Sequence, residues 1–282
     1  MKTRITVICE NSVHVPFPLI AEHGLSMLIE KDDATLFDTG QGLGFINNMK
    51  MLGKNIDTVE RLILSHGHYD HTGGLFSFLQ NRNKNAKLPV YLHEDAFIDK
   101  RALIPVPGNP IEAPIGMRAS KSDYESAGAE FNTVSGFFGV TGSIAAISDI
   151  KRPEGWKTWD SRLKQKTEAG LIDDPFRDDL SLLVETDSGP VVLLGCAHAG
   201  IVEILDDLAA SSGHSEFHAV IGGTHLESAP EEYVVRTIET LKKYNVKKIA
   251  ASHCTGFRVA CRFASEFRER FANASAGAVF EF

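Results

Sequence analysis

Positive charge is in short supply: 29 Lys and Arg stand against 37 Asp and Glu, a formal net charge of −8. An acidic chain repels a phosphate backbone, which argues against nucleic acid as a partner. No apolar run approaches the roughly 18 residues that a membrane-crossing helix needs, so no membrane span is expected. The opening residues MKTRITVICE hold too short an apolar core for a secretory signal and read as a first strand. Cysteine is scarce as well. Cys9, Cys196, Cys254 and Cys261 show no disulfide-framework spacing, so a reducing cytoplasm is the expected compartment. What remains is an ordinary globular balance, 43% hydrophobic and 23% charged, in a chain long enough for one large domain or two small ones.

Short β-branched or aromatic runs bounded by Gly or Asp predict strands at residues 4–9, 25–30 and 34–37, then a helix over 44–52 and a buried strand over 59–64. A helix over 75–79, a strand over 89–92 and a helix over 94–100 follow. Periodicity weakens between residues 101 and 175, where Pro105, Pro107, Pro110 and Pro114 break regular elements. So long a stretch is expected to be an inserted cap or lid with short elements of its own, within a single domain spanning 1–282. Regularity returns with strands at 180–186 and 191–194, a helix at 201–210, a strand at 217–221, a helix at 231–244 and a strand at 246–251. Phe263, Phe267 and Phe271 mark the buried stripe of a C-terminal helix. Strand meanders that later alternate with helices, in both halves, predict two stacked sheets with helices outside.

Histidine is what the chain has in quantity, and SHGHYDHTGG at residues 65–74 packs three histidines and an aspartate into six positions. At the exit of a strand, His66 and His68 are two apart and can point at one ion. Asp70 and His71 lie past the bend, where they can reach a second. Imidazole and carboxylate together suit zinc, iron or manganese better than calcium. Water on such an ion is acidified to a pKa of about 7, giving a hydroxide nucleophile at neutral pH.

This stretch resembles the H-x-H-x-D-H signature of the metallo-β-lactamase fold, a four-layer αββα sandwich of the α+β class. EHGLS (22–26), LFDTGQG (36–42), GCAHAGIV (195–202), IGGTHL (221–226) and SHCTG (252–256) extend the resemblance to the dihydropterin synthase-like branch. The activity that resemblance implies joins a dihydropterin-methyl diphosphate to a ribofuranosyl-aminobenzene phosphate. It also implies one or two divalent ions, with zinc favoured over manganese or iron. His253 would join Asp70 and His71, and His198 would join His66 and His68. Where many such enzymes carry a bridging Asp after Gly195, this chain has Cys196, which either bridges as a thiolate or packs beneath the site. Asp178 or Asp179 could supply the missing oxygen.

Asp70 and His225 are the candidate catalytic groups, with His225 reaching the substrate as acid or donor. His93 is a weaker supporting candidate, and His23 is expected to support the loop facing the metals. The turns at Gly200 and at Thr255 and Gly256 each lead into a helix, whose free N–H groups suit a phosphate. Two departures stand out: TGSIAAISDI (141–150) lacks the branch's Pro-Arg pair, and Glu203 stands where Asn is expected. The expected activity is turnover of a small phosphate- or diphosphate-bearing substrate by hydrolysis or condensation. The rivals are a metal-binding sensor without turnover and an iron-dependent redox enzyme. The oligomeric state is not legible.

Overall fold

The computed structural model describes residues 2–16, 18–83 and 86–282. Two seven-stranded sheets stack face to face. The first runs, in spatial order, Val279–Glu281, Arg4–Cys9, Ser26–Glu30, Ala34–Phe37, Val59–Ile63, Leu88–Leu92 and Ala129–Thr133. The second runs Phe271–Asn273, Lys248–Ser252, Ala219–Gly223, Val191–Leu194, Ser181–Val184, Ile144–Ile147 and Phe137–Gly139.

Alternation decides which side chain meets which layer. Ile5, Val7, Met27, Ile29, Phe37 and Ile63 point inward against Leu182, Val184, Val191, Leu193 and Ile221 of the other sheet. Their neighbours Leu28, Leu36 and Leu62 point outward under the helices Phe45–Met51 and Leu75–Asn81. On the far side Leu183, Val192 and Leu194 pack beneath Ile201–Ser212, Glu231–Lys243 and Phe257–Phe267. Helix, sheet, sheet, helix is therefore the layer order. Because both faces of the central strands are covered, those strands read as unbroken apolar runs such as VVLL.

Two elements differ from the sequence expectation. Residues 94–100 form only a short 3₁₀ turn, Glu94–Phe97, before Lys100–Ile104 begins a strand. Phe271 is not in the C-terminal helix, which ends at Phe267; it opens a strand that pairs with Ile249. Residues 101–175 do not form one continuous block. Lys100–Ile104, Ile111–Pro114, Leu163–Thr167 and Gly170–Asp173 make a separate four-stranded antiparallel sheet, whereas the strands between them return to the two main sheets.

Lys100 anchors this third sheet. Its ammonium is buried between Asp174 and Asp178, at 2.8 and 2.9 Å. The strands Ala34–Phe37 and Val59–Ile63 are parallel, as are Val191–Leu194, Ala219–Gly223 and Lys248–Ser252. Parallel strands deliver their C-terminal ends to one edge, and the loops that leave those ends carry His66, His68, His71, His198, His225 and His253.

Candidate metal centre

His66 and His68 follow the strand Val59–Ile63, and His68, on extended backbone, stands at the N-cap position of the short helix Tyr69–Thr72 that carries Asp70 and His71. The turn is compact: a Cβ at Gly67 would run into the carbonyl oxygen of Ala96, so only glycine fits. The Gly67 N–H donates to Asp178 Oδ2 at 2.9 Å, tying the loop to Lys100.

The loop brings together two clusters. In the first, the ring nitrogens of His66, His68 and His198 lie within 4.8 Å of one another, all three side chains buried. His66 Nε2, His68 Nε2 and both nitrogens of His198 have no hydrogen-bond partner. Buried polar atoms without partners are costly, and converging imidazoles are the arrangement a cation satisfies. Burial holds all three rings neutral, with the His68 pKa lowered to about 3. The neutral ring is the form that ligates metal.

In the second cluster Asp70 Oδ2 lies 3.3 Å from His253 Nε2, and His71 Nε2 lies 3.2 Å from the same nitrogen. Cys196 Sγ is 3.1 Å from His71 Nε2 and also groups with His66, so the thiol lies between the clusters. His23 adds a ring that sequence reading assigned only a supporting place: its Nε2 is 3.3 Å from Asp70 Oδ2. The donor set of imidazole, carboxylate and thiol thus fits one or two ions of the zinc type.

The layer beneath fixes ring orientation. Asp38, buried at the end of Ala34–Phe37, accepts the Ser65 N–H on Oδ1 and both Ser65 Oγ and His71 Nδ1 on Oδ2, each at 2.7 Å. With the Ser65 hydroxyl proton committed to Asp38, Ser65 Oγ accepts from His66 Nδ1 at 2.9 Å. Asn11 Oδ1 accepts from His253 Nδ1 at 2.9 Å. These partners assign protons to Nδ1 and leave Nε2 of His66, His71 and His253 aimed at the centre. Burial opposes charge on His71, but Asp38 and Asp70 outweigh it and raise its pKa to about 9. Asp38, Ala197, His225 and His253 all adopt positive φ, as does Phe176, which stacks on His198 at 4.3 Å. Such backbone is strained for non-glycine residues and gathers at functional sites.

The centre opens into a cavity of about 320 Å³ lined by, among others, Tyr69, Asp160, Arg162, His225, Glu227 and Cys254. That is the lower end of the range for small-molecule sites. His225 faces it, with Nε2 3.5 Å from Asp160 Oδ2 and its carbonyl held by Trp159 Nε1 at 2.8 Å. Burial disfavours its charge, but Asp160 and Cys254 raise its pKa to about 9. Cys254 was missed by sequence reading although it directly follows His253. Burial works against a thiolate there, but Cys196, His225 and His253 hold its pKa well below the ordinary value.

Three expected substrate contacts are not at this cavity. The helix N-terminus after Gly200 is filled from within: a Cβ at Gly200 would collide with Glu203, whose carboxylate accepts from Tyr233 Oη at 2.5 Å. Tyr233 Oη in turn accepts the Val202 N–H at 3.3 Å, so Glu203 and Tyr233 fill the space where a phosphate was expected. Thr255 is buried and its Oγ1 accepts from Thr224 Oγ1 at 2.9 Å. The space beside Gly256 is taken by Glu227. Asp178 serves Lys100 and Gly67, and Asp179 Oδ2 accepts from Ala199 N–H at 2.6 Å while its buried Oδ1 has no partner; neither is among the grouped residues above. His93 pairs with Asp149 at 3.2 Å.

The chain matches the metallo-beta-lactamase superfamily model over residues 20–253. It is 32% identical to the 7,8-dihydropterin-6-methyl-4-(beta-D-ribofuranosyl)-aminobenzene-5'-phosphate synthase of Methanocaldococcus jannaschii, over 99% of this chain and 96% of that protein. A crystal structure described as a metal-dependent hydrolase of the beta-lactamase superfamily superposes with a TM-score of 0.83 and 26% identity, covering 99% of both chains. A diphosphatase of the PhnP family shares the fold at a TM-score of 0.56 and 13% identity, over 100% of this chain and 98% of that one. With its histidine clusters on the shared edge of two stacked sheets, the chain belongs to the metallo-β-lactamase superfamily, in the branch of the dihydropterin synthase-like enzymes.

Proposed function

We propose that this enzyme uses two divalent ions, zinc by preference, to act on a small phosphate- or diphosphate-bearing substrate in a reducing cytoplasm. The observation that carries the reading is the pair of clusters, His66–His68–His198 and Asp70–His71–His253, joined by the Cys196 thiol. Two ions so held would supply Lewis acidity toward phosphoryl oxygen and a nucleophile or a leaving-group clamp. The chain's own groups do the rest. Asp38 and Ser65 hold a proton on Nδ1 of His71 and His66, which leaves Nε2 as the nitrogen that would face an ion. His225, charged against Asp160, is placed to donate a proton to a leaving oxygen. The named relative is a synthase of a dihydropterin-methyl ribofuranosyl-aminobenzene phosphate, and in a condensation of the kind the resemblance implies the same apparatus would hold a departing diphosphate here.

The test is elemental analysis per chain, followed by assay of the zinc-loaded protein on diphosphates, phosphate esters and the relative's substrate pair. About two zinc ions and turnover of one of these classes is expected, with His68→Ala losing metal and activity together. Full metal retention by His68→Ala would remove the ligand assignment. Iron alone would favour redox chemistry, and no metal after reconstitution would favour a binding protein.

A further inference from the structure

The two helix N-termini best suited to an anion are closed by the chain's own carboxylates, Glu203 at Gly200 and Glu227 at Gly256. A phosphorylated substrate then needs a different counter-charge. The cavity wall offers Asp70, Asp160 and Glu227, and among the described residues Arg162 is the one lysine or arginine that lines it. We propose that Arg162, presented by the third sheet and oriented by Asp160, is the residue that binds the phosphate or diphosphate of the substrate. The inference rests on the reading of a phosphate-bearing substrate and locates that group's docking point.

Asp160 does the orienting. Its side chain is only 3% exposed, and it takes Arg162 Nε at 2.8 Å and Nη2 at 2.7 Å, a two-pronged pair. It also accepts the backbone N–H of Arg162 at 3.2 Å and lies 3.5 Å from His225 Nε2. The guanidinium is thus tied to the same carboxylate that faces the metal centre. An arginine has five N–H donors in a fixed plane, and Asp160 uses one edge of that plane. The Arg162 side chain is 57% exposed, so the remaining donors face open space, in the geometry that suits a phosphate.

The backbone is held as well, since the Arg162 carbonyl accepts from Leu103 N–H at 2.9 Å within the third sheet. Beside it Ala102, Ile115, Leu163 and Tyr69 form an apolar wall, against which the organic part of such a molecule would lie. If the Arg162–Asp160 pair served only stability, the exposure of the guanidinium would make its loss hard to see in unfolding. Ligand binding, not unfolding, is therefore the decisive readout.

The experiment is calorimetric titration of inorganic pyrophosphate into the zinc-loaded full chain and its variants, with zinc per chain measured alongside. Arg162→Gln should keep native zinc content and bind pyrophosphate about 10–100-fold more weakly, the range expected for losing charge-assisted hydrogen bonds. Arg162→Lys, which keeps charge without the fork, should weaken binding less, and Asp160→Asn should fall between. Equal affinity in wild type and Arg162→Gln would overturn the assignment of Arg162 while leaving the phosphate reading standing. No pyrophosphate binding by the zinc-loaded wild type would remove both. Should Arg162→Gln lose zinc, Arg162→Lys decides: unchanged affinity there overturns the requirement for an arginine fork.

Discussion

Asp38→Asn offers a severe test of how the centre is built. Asparagine keeps the size of the side chain and tolerates the left-handed backbone that Asp38 adopts at φ 60°. It changes one acceptor oxygen into a donor. Asp38 receives three donors, Ser65 N–H, Ser65 Oγ–H and His71 Nδ1–H. If the amide oxygen keeps Ser65 N–H, the new NH₂ faces His71 Nδ1 and pushes that ring's proton to Nε2. The nitrogen aimed at the metal then carries a hydrogen in place of its lone pair. If the amide flips, the NH₂ opposes the Ser65 N–H in a buried site. Either arrangement leaves one misfaced group, a cost of about 1–3 kcal/mol. Loss of a supporting carboxylate lowers metal affinity about 10–100-fold, which is roughly 1.4–2.8 kcal/mol. Zinc competition against a chromophoric chelator measures the affinity, and urea unfolding of the metal-free protein measures the rest. Wild-type zinc affinity in Asp38→Asn, with both equivalents bound, would refute the tautomer argument.

Three further outcomes are expected. Cys196→Ser should lower the second zinc equivalent under dialysis and leave the first in place; unchanged stoichiometry would make the thiol a packing group. Lys100→Met leaves Asp174 and Asp178 buried without their cation, so denaturant unfolding should report a loss of about 3–5 kcal/mol, and a loss under 1 kcal/mol would show that water reaches the pair. In the metal-free protein burial, reinforced by Asp178, raises the Asp179 pKa to about 7. A raised acid favours the fold while protonated, so its contribution is complete below about pH 4 and lost as pH climbs toward 7. Asp179→Asn should therefore gain stability relative to wild type across that window, and parallel stability-against-pH curves would disprove the shift.

The convergence of His66, His68, Asp70 and His71 was legible because its information is local: a strand exit, a two-residue step and a helical turn bring them together without help from elsewhere. The stacked sheets were legible because doubly covered strands must be apolar on both sides. The third sheet was not, since Lys100 reads as a polar helix residue until Asp174 and Asp178 arrive from more than seventy positions away. Asp38 reads as a turn residue in FDTG, and only the fold places it under His71. The anion sites failed for two reasons. Glu203 sits three residues past Gly200, near enough for its carboxylate to fill the space at that helix start. Glu227 reaches Gly256 through space alone, with no trace in the linear order.

The two ends of the described chain are stitched to each other. Thr3 N–H donates to the Phe282 carbonyl at 3.0 Å and Phe282 N–H returns to Thr3 at 2.9 Å, where Val279–Glu281 lies along Arg4–Cys9. During synthesis Arg4–Cys9 is made long before Val279–Glu281, and waits for this outer neighbour until that strand has left the ribosome. Its unpaired edge is exposed all that while, an invitation to misassociation that a nascent-chain chaperone would have reason to cover.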